Sequence, residues 1–278
     1  MSESTDTRAP QSGIEQSRSD RRTTDPAVPT AGTRDAARAQ ERRTLVLQIL
    51  VIGAVFAAVA IWLATADLSE TELGTLNAAT LWGYTVEHLA LTAVSAVIVL
   101  AIAIPAGVLL TRRPLRFLTA PVMTVANIGQ AAPAIGLIVL LAFWLGFGFW
   151  AAVVSLVLYA VLPVLRNTMV GLTQVDDSLI EAGRGMGMSS AAVLFRVELP
   201  LAVPLMLAGI RTALVLLVGT ATLATFINGG GLGVLITTGV NLNLTTVLVT
   251  GSLLVALLAL VVDWLGRVVE YFARPKGL

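Results

Sequence analysis

Cysteine is absent and histidine occurs once, at His88. The first absence excludes a disulfide framework, a thiolate zinc site, an iron–sulfur cluster and a cysteine nucleophile, and the second excludes a paired-histidine metal motif. Lysine also occurs once, at Lys276, followed by Gly277 and Leu278. A phosphate-cradling loop needs a lysine followed by serine or threonine after a glycine-spaced run, so the chain holds no nucleotide-binding P-loop. Charge is scarce too, at 13% of residues with a formal net charge of +1. Phosphate backbones are bound by clustered, unneutralised cations, so nucleic acid is excluded as a partner. What fills the space is apolar: 56% of residues are hydrophobic, against roughly half in an ordinary soluble domain. Apolar runs of about 20 residues are what a bilayer core demands. The chain reads as an all-α integral membrane protein.

Residues 1–43 hold eight arginines and seven acidic residues with no aromatic side chain, a composition that buries too little to fold. They are expected to form a disordered polar cytoplasmic tail. Apolar segments follow at 45–66 and 89–111. The stretch 117–147 is interrupted by Pro121, Asn127, Gly129, Gln130 and Pro133, so it reads as a broken or partly interfacial entry followed by a span. After Gly146 and Gly148 the chain returns over 149–165, stays polar over 166–198, and crosses again over about 201–227 and 244–264, with a glycine-rich loop between the last two. About six transmembrane helices result.

The basic residues fall in four places: the tail, Arg112 to Arg116, Arg166 to Arg211, and the end of the chain. The alternate loops 67–88, 146–148 and 228–243 contain none. Because positive residues near span ends are retained inside, both termini are expected in the cytoplasm. The long loop then projects inward, and it begins Asp176, Asp177, Ser178, Leu179, Ile180, Glu181. Ser178 followed by Glu181 is a capping-box spacing beside acidic residues that suit a helix N-terminus. Gly187 fits the left-handed position that ends a helix, and Ser189 or Ser190 can cap a second one ahead of Pro200. Two short helices joined at a glycine bend make a knob; an amphipathic loop lying on the bilayer is the plainer alternative.

Glu181, Ala182, Gly183, then Gly187 three residues on, then Val197, Leu199 and Pro200 resemble the EAA motif of permease subunits of binding-protein-dependent ABC importers. Gly183 replaces the pattern's second alanine and Val197 its isoleucine, with the spacing intact. The flanking runs 162–171, 181–188 and 208–223 resemble permeases of osmoprotectant importers, which carry glycine betaine, carnitine or choline. The resemblance covers about 84–270. The tail, the first span and external loop at 44–83, and the short end at 271–278 lie outside it.

The resemblance implies a type I importer permease core in a prokaryotic cell membrane. Its expected partners are cytoplasmic ATP-binding subunits, a second permease copy or related permease, and an external substrate-binding protein. It implies that the chain is no enzyme and holds no cofactor, ATP being bound by the partner. Glu181, Ala182, Gly183, Gly187, Leu199 and Pro200 become the ATPase-coupling residues, although Glu181 serves equally well as a capping partner for Ser178.

The weaker alternative is an ion-coupled secondary transporter. Such carriers place ionisable groups deep in the membrane, whereas Arg211 and Asp263 both fall near cytoplasmic ends of their spans. Asn127, Gln130, Gly229, Gly230 and Gly231 are candidates for the translocation path, since polar or irregular backbone at membrane depth must face protein or water. A flexible turn is the plain reading of the glycines. Trp62, Trp82, Trp144, Trp150 and Trp264 could form a cage for a quaternary ammonium, but their places at span ends match an interfacial belt better.

Overall fold

The computed structural model describes residues 31–273, and every regular element among them is helical. In chain order these are α1 (Ala31–Thr65), α2 (Glu70–Thr75), α3 (Ala78–Leu110), α4 (Thr119–Ala131), α5 (Ala134–Leu145), α6 (Phe149–Thr173), α7 (Asp177–Gly185), α8 (Ser190–Val193), α9 (Leu199–Ala221), α10 (Gly233–Asn241) and α11 (Thr245–Ala273). Five helices are long and apolar enough to cross a membrane, and six spans result if the bent pair α4 and α5 counts as one. That pair turns through 102°. Ala132 is extended, at ψ 143°, before Pro133, because proline's ring pushes the preceding residue out of the helical region. The interrupted entry expected from the sequence is this bend.

The core lies where α3, α6 and α9 meet. Leu91, Val99, Leu156, Val164 and Leu217 are buried there beside Ala103, Ala152, Ala160, Ala213 and Ala221. Small residues let helix backbones approach when lipid supplies no hydrophobic drive. A Cβ on Gly209 would lie 2.5 Å from the Asn167 Cβ, which marks how closely α9 crosses α6. Some hydroxyls inside the spans are satisfied by their own helix: Ser155 donates to the Ala151 carbonyl at 2.7 Å and Thr250 to that of Thr246 at 2.7 Å, whereas the buried hydroxyls of Thr92, Ser95 and Thr168 have no partner among the described residues.

Residues Arg112, Arg211 and Arg267 sit at one end of the bundle, called here the arginine face. Near that face α1 is fastened to α11 by Gln48 Nε2 donating to Asp263 at 3.0 Å and Trp264 Nε1 donating to the Leu45 carbonyl at 3.0 Å. Arg211 lies 3.7 Å from Asp263 and 3.6 Å from Glu270, and Arg267 donates to Asp263 at 2.9 Å. These four charges therefore neutralise one another in one cluster.

Four expectations shift. Helix α1 begins at Ala31, inside the segment read as disordered tail; residues 1–30, like 274–278, lie outside the described residues. Helix α3 begins at Ala78 and has 33 residues, about 50 Å of helix, because Asn77 caps it well before the apolar run. The span read as 149–165 runs on to Thr173. Between the glycine loop and α11 the chain forms α10.

Candidate functional site

The knob between α6 and α9 starts from Asp176, whose carboxylate accepts the Ser178 N–H at 2.8 Å and caps α7. Its charge suits the positive end of a helix better than a hydroxyl does, so the cap falls two residues before the serine expected to hold it. Ser178's backbone N–H and then its hydroxyl hold the Asp176 carboxyl below the usual carboxylate range. With Asp176 as the cap, Glu181 is exposed on the second turn of α7. A true capping box occurs elsewhere, at Ser69 and Glu72 ahead of α2.

Gly187 ends α7 as expected, at φ +83°. Met188 N–H reaches the Gly183 carbonyl at 3.1 Å and Gly187 N–H that of Arg184 at 2.9 Å, the paired bonds of a Schellman stop. A Cβ at positive φ is strained, which explains glycine there. Ser189 then caps α8 by accepting the Ala192 N–H at 3.3 Å. Gly183 is buried under α8; a Cβ on it would lie 3.3 Å from the Val193 side chain and 3.6 Å from the Met188 sulfur. Gly183 is thus the contact point of the knob's two arms. Ala182 and Gly187 are exposed, and Leu179, Met186 and Phe195 expose large apolar side chains around them.

Pro200 does not end the second arm. The helix runs from Ser190 to Ile227 as one candidate span, passing through a π-helical turn at Leu194–Glu198. Proline lacks an N–H to continue the regular ladder, and a wide turn accommodates that loss. Leu199 packs inward with Leu172, Met206, Ile104 and Val108. Pro200 is exposed.

Sequence reasoning missed the pair at the knob's base. Glu198 is only 5% exposed, and it accepts from Arg112 Nη1 at 3.1 Å and Nη2 at 2.5 Å. Arg112 follows the end of α3, where its Nε donates to the Val108 carbonyl at 3.4 Å. An acidic residue one place before Leu199 and Pro200 was the available signal, but nothing in the sequence names its partner.

At the opposite face Asn228 adopts φ +59° and Gly230 and Gly231 adopt φ +80° and +87°. The Glu87 carboxylate fastens this turn by accepting the Gly231 N–H at 2.9 Å. Gly231 is buried against His88, whose Nε2 lies 2.9 Å from the Val218 carbonyl. Gly229 is buried too, its Cβ position 3.1 Å from Ala152. The glycine loop is therefore a fixed turn docked on α3 and α6, in place of a flexible one.

Asn127 is exposed on α4 and donates to its own helix, at the Met123 carbonyl, 2.7 Å away. Gln130 is half-buried one turn on. A cleft of about 360 Å3 opens between α3, α9 and α11; Leu89, Leu207, Leu214 and Val262 wall it and Arg211 borders it. Its apolar walls and a guanidinium offer nothing to attract a cation. Trp82, Trp144 and Trp150 are 70%, 84% and 68% exposed. Such open faces suit a belt at the membrane interface and not an enclosing cage.

The chain matches the family model described as binding-protein-dependent transport system inner membrane component over residues 103–274. It is 40% identical over 192 residues to the glycine betaine/carnitine/choline transport system permease protein OpuCB of Bacillus subtilis (strain 168), which covers 69% of this chain and 88% of that protein. It is 38% identical over 207 residues to the osmoprotectant import permease protein OsmW of Salmonella typhimurium, covering 73% and 95%. Among solved structures, the inward-facing MetNI methionine ABC transporter overlays with a TM-score of 0.63 at 27% identity, covering 75% of this chain and 100% of the matched chain. This multi-pass membrane chain belongs to the binding-protein-dependent transport system inner membrane components, the permease subunits of ABC importers.

Proposed function

We propose that the chain forms, with a second permease copy or a related permease, the passage of an ATP-driven importer for quaternary-amine osmoprotectants such as glycine betaine, carnitine or choline. The knob on the arginine face carries the proposal. Its bend is fixed by Gly187 and its arms are clasped at Gly183, so Glu181 and Ala182 stand out beside exposed Met186 and Phe195. An apolar and acidic projection of fixed shape suits a groove on another protein. The arginine face is cytoplasmic in this reading, with both termini on that side, and the groove belongs to a separate ATP-binding subunit, since this chain lacks a P-loop.

The substrate class rests on the relatives named for glycine betaine, carnitine, choline and osmoprotectants. Quaternary amines carry a permanent charge and cross lipid poorly unaided, so they need a built passage. An external binding protein supplies affinity; the permease supplies the route, for which Asn127 and Gln130 on α4 and the docked turn Gly229, Gly230 and Gly231 are the proposed borders. The complex reconstituted in liposomes, with ATP on the knob's side and the binding protein on the other, is expected to accumulate glycine betaine, carnitine or choline. Uptake should survive a protonophore and a sodium ionophore and stop without ATP. Accumulation driven by an ion gradient with no ATPase present would overturn the energy source; ATP-driven uptake of another solute class alone would overturn the substrate.

A further inference from the structure

The helix that leaves the knob and becomes α9 has a weak joint. At the π-helical turn the Leu199 N–H reaches back five residues to the Leu194 carbonyl, and the following residue, Pro200, donates no backbone bond at all. Wide turns and proline are where helices bend. A displacement applied to the knob would be spent on bending this joint unless something braced it. Glu198, the last residue of the turn, is buried and held by both terminal nitrogens of Arg112. A two-point guanidinium–carboxylate contact fixes angle as well as distance.

Arg112 belongs to the end of α3, to which its backbone N–H is tied at the Leu109 carbonyl, 3.0 Å away, and its Nε at Val108. Helix α3 is in turn fastened in the half away from Arg112: His88 meets the Val218 carbonyl of α9 and Glu87 holds the Gly231 N–H. One helix thus joins the knob's base to the glycine turn at the opposite face.

Resting on the importer reading above, we infer that Arg112 and Glu198 are positioning residues for energy coupling. Their ion pair stiffens the π-turn so that movement of the knob reaches α3 and α9 together, and α3 carries it to the docked glycine turn. Neither residue need touch the solute or the ATPase. Their loss should therefore separate ATP hydrolysis from transport, leaving both partners bound.

The test uses the full complex in liposomes, permease with its ATP-binding subunits and binding protein, and reads solute accumulated per ATP hydrolysed, normalised to the amount of assembled complex. Arg112→Gln and Glu198→Gln are each expected to lower that ratio about tenfold, within the range of ordinary coupling between sites, with ATP hydrolysis retained. The double variant should be no worse than either single one, because both remove the same contact. A wild-type ratio in the single variants would overturn the inference. So would less assembled complex with an unchanged ratio, which marks a merely structural pair, and so would losses that multiply in the double variant. The wild-type complex is read separately: if it fails to move solute with ATP, the importer reading fails, whatever the variants do.

Discussion

At the arginine face α3 is joined to α9 by a buried carboxylate and a guanidinium, Glu198 and Arg112, whereas at the other face it is joined by a backbone carbonyl and a glycine N–H, through His88 and Glu87. Around the first contact the chain projects a knob with exposed Leu179, Met186 and Phe195; around the second Gly229, Gly231 and Gly233 are buried. The first end presents exposed side chains, and the second holds a fixed backbone geometry. The side-chain pair can be altered with the backbone intact, but the glycine turn cannot, since its residues are there for want of a Cβ.

The most complete contrast between the ends is topological. With no native cysteine as background, Thr71→Cys and Asn241→Cys should react with an impermeant thiol reagent added to intact cells. Ser190→Cys should react only after the membrane is opened. Labelling of residue 190 from outside would reverse the assignment of the two faces.

Gly231→Val should do the greater damage to the fold. It puts a branched side chain at φ +87° with its Cβ 3.0 Å from the His88 ring, a combination worth about 3 kcal/mol. The expected result is loss of monodisperse protein on mild heating in detergent; wild-type heat resistance would show that the turn yields. Gly187→Val is strained at φ +83° but meets no neighbour within 4 Å, so about 1–2 kcal/mol is expected. That variant should insert normally and lose transport-coupled ATP hydrolysis. Unchanged uptake in it would make the knob a passive connector.

The smallest effect concerns the knob's first cap. Asp176 is held below the usual carboxylate range by the Ser178 N–H, so its contribution is present above the unfolded-state pKa and fades as pH falls through the lower folded-state value. The difference in thermal stability between wild type and Asp176→Ala should thus be full at neutral pH and shrink in acid below the ordinary carboxylate range. A difference that grows on acidification would contradict the capping role.

Much of the architecture was legible because its causes are local. Apolar length marks spans, Pro133 and its flanks mark the bend, and Gly187 followed by Ser189 marks a helix stop and a fresh start. Where local signals competed, the reading slipped: Asp176 and Ser178 both offered a cap, and the charged one prevailed. Pro200 suggested an end to the second arm, yet a π-turn carried the helix through. The run of glycines, a path candidate with a flexible turn as the plain alternative, proved to be fastened by the Glu87 carboxylate, a residue more than a hundred positions away in sequence.

By itself the sequence determined that the chain crosses a membrane in several helices, that its arginines gather on one face and that a bent knob stands there. These follow from hydrophobic length, charge placement and the backbone preferences of proline and glycine, each acting within a few residues. Only the tertiary structure decided that Arg112 meets Glu198, that His88 and Glu87 clasp α9 and the glycine turn, and that Gln48 and Leu45 tie α1 to α11. Such partners lie far apart along the chain, and periodicity carries no information about which buried polar groups satisfy one another. Helix packing chooses them, because a polar side chain in the bundle can bond only to the groups that packing brings within reach.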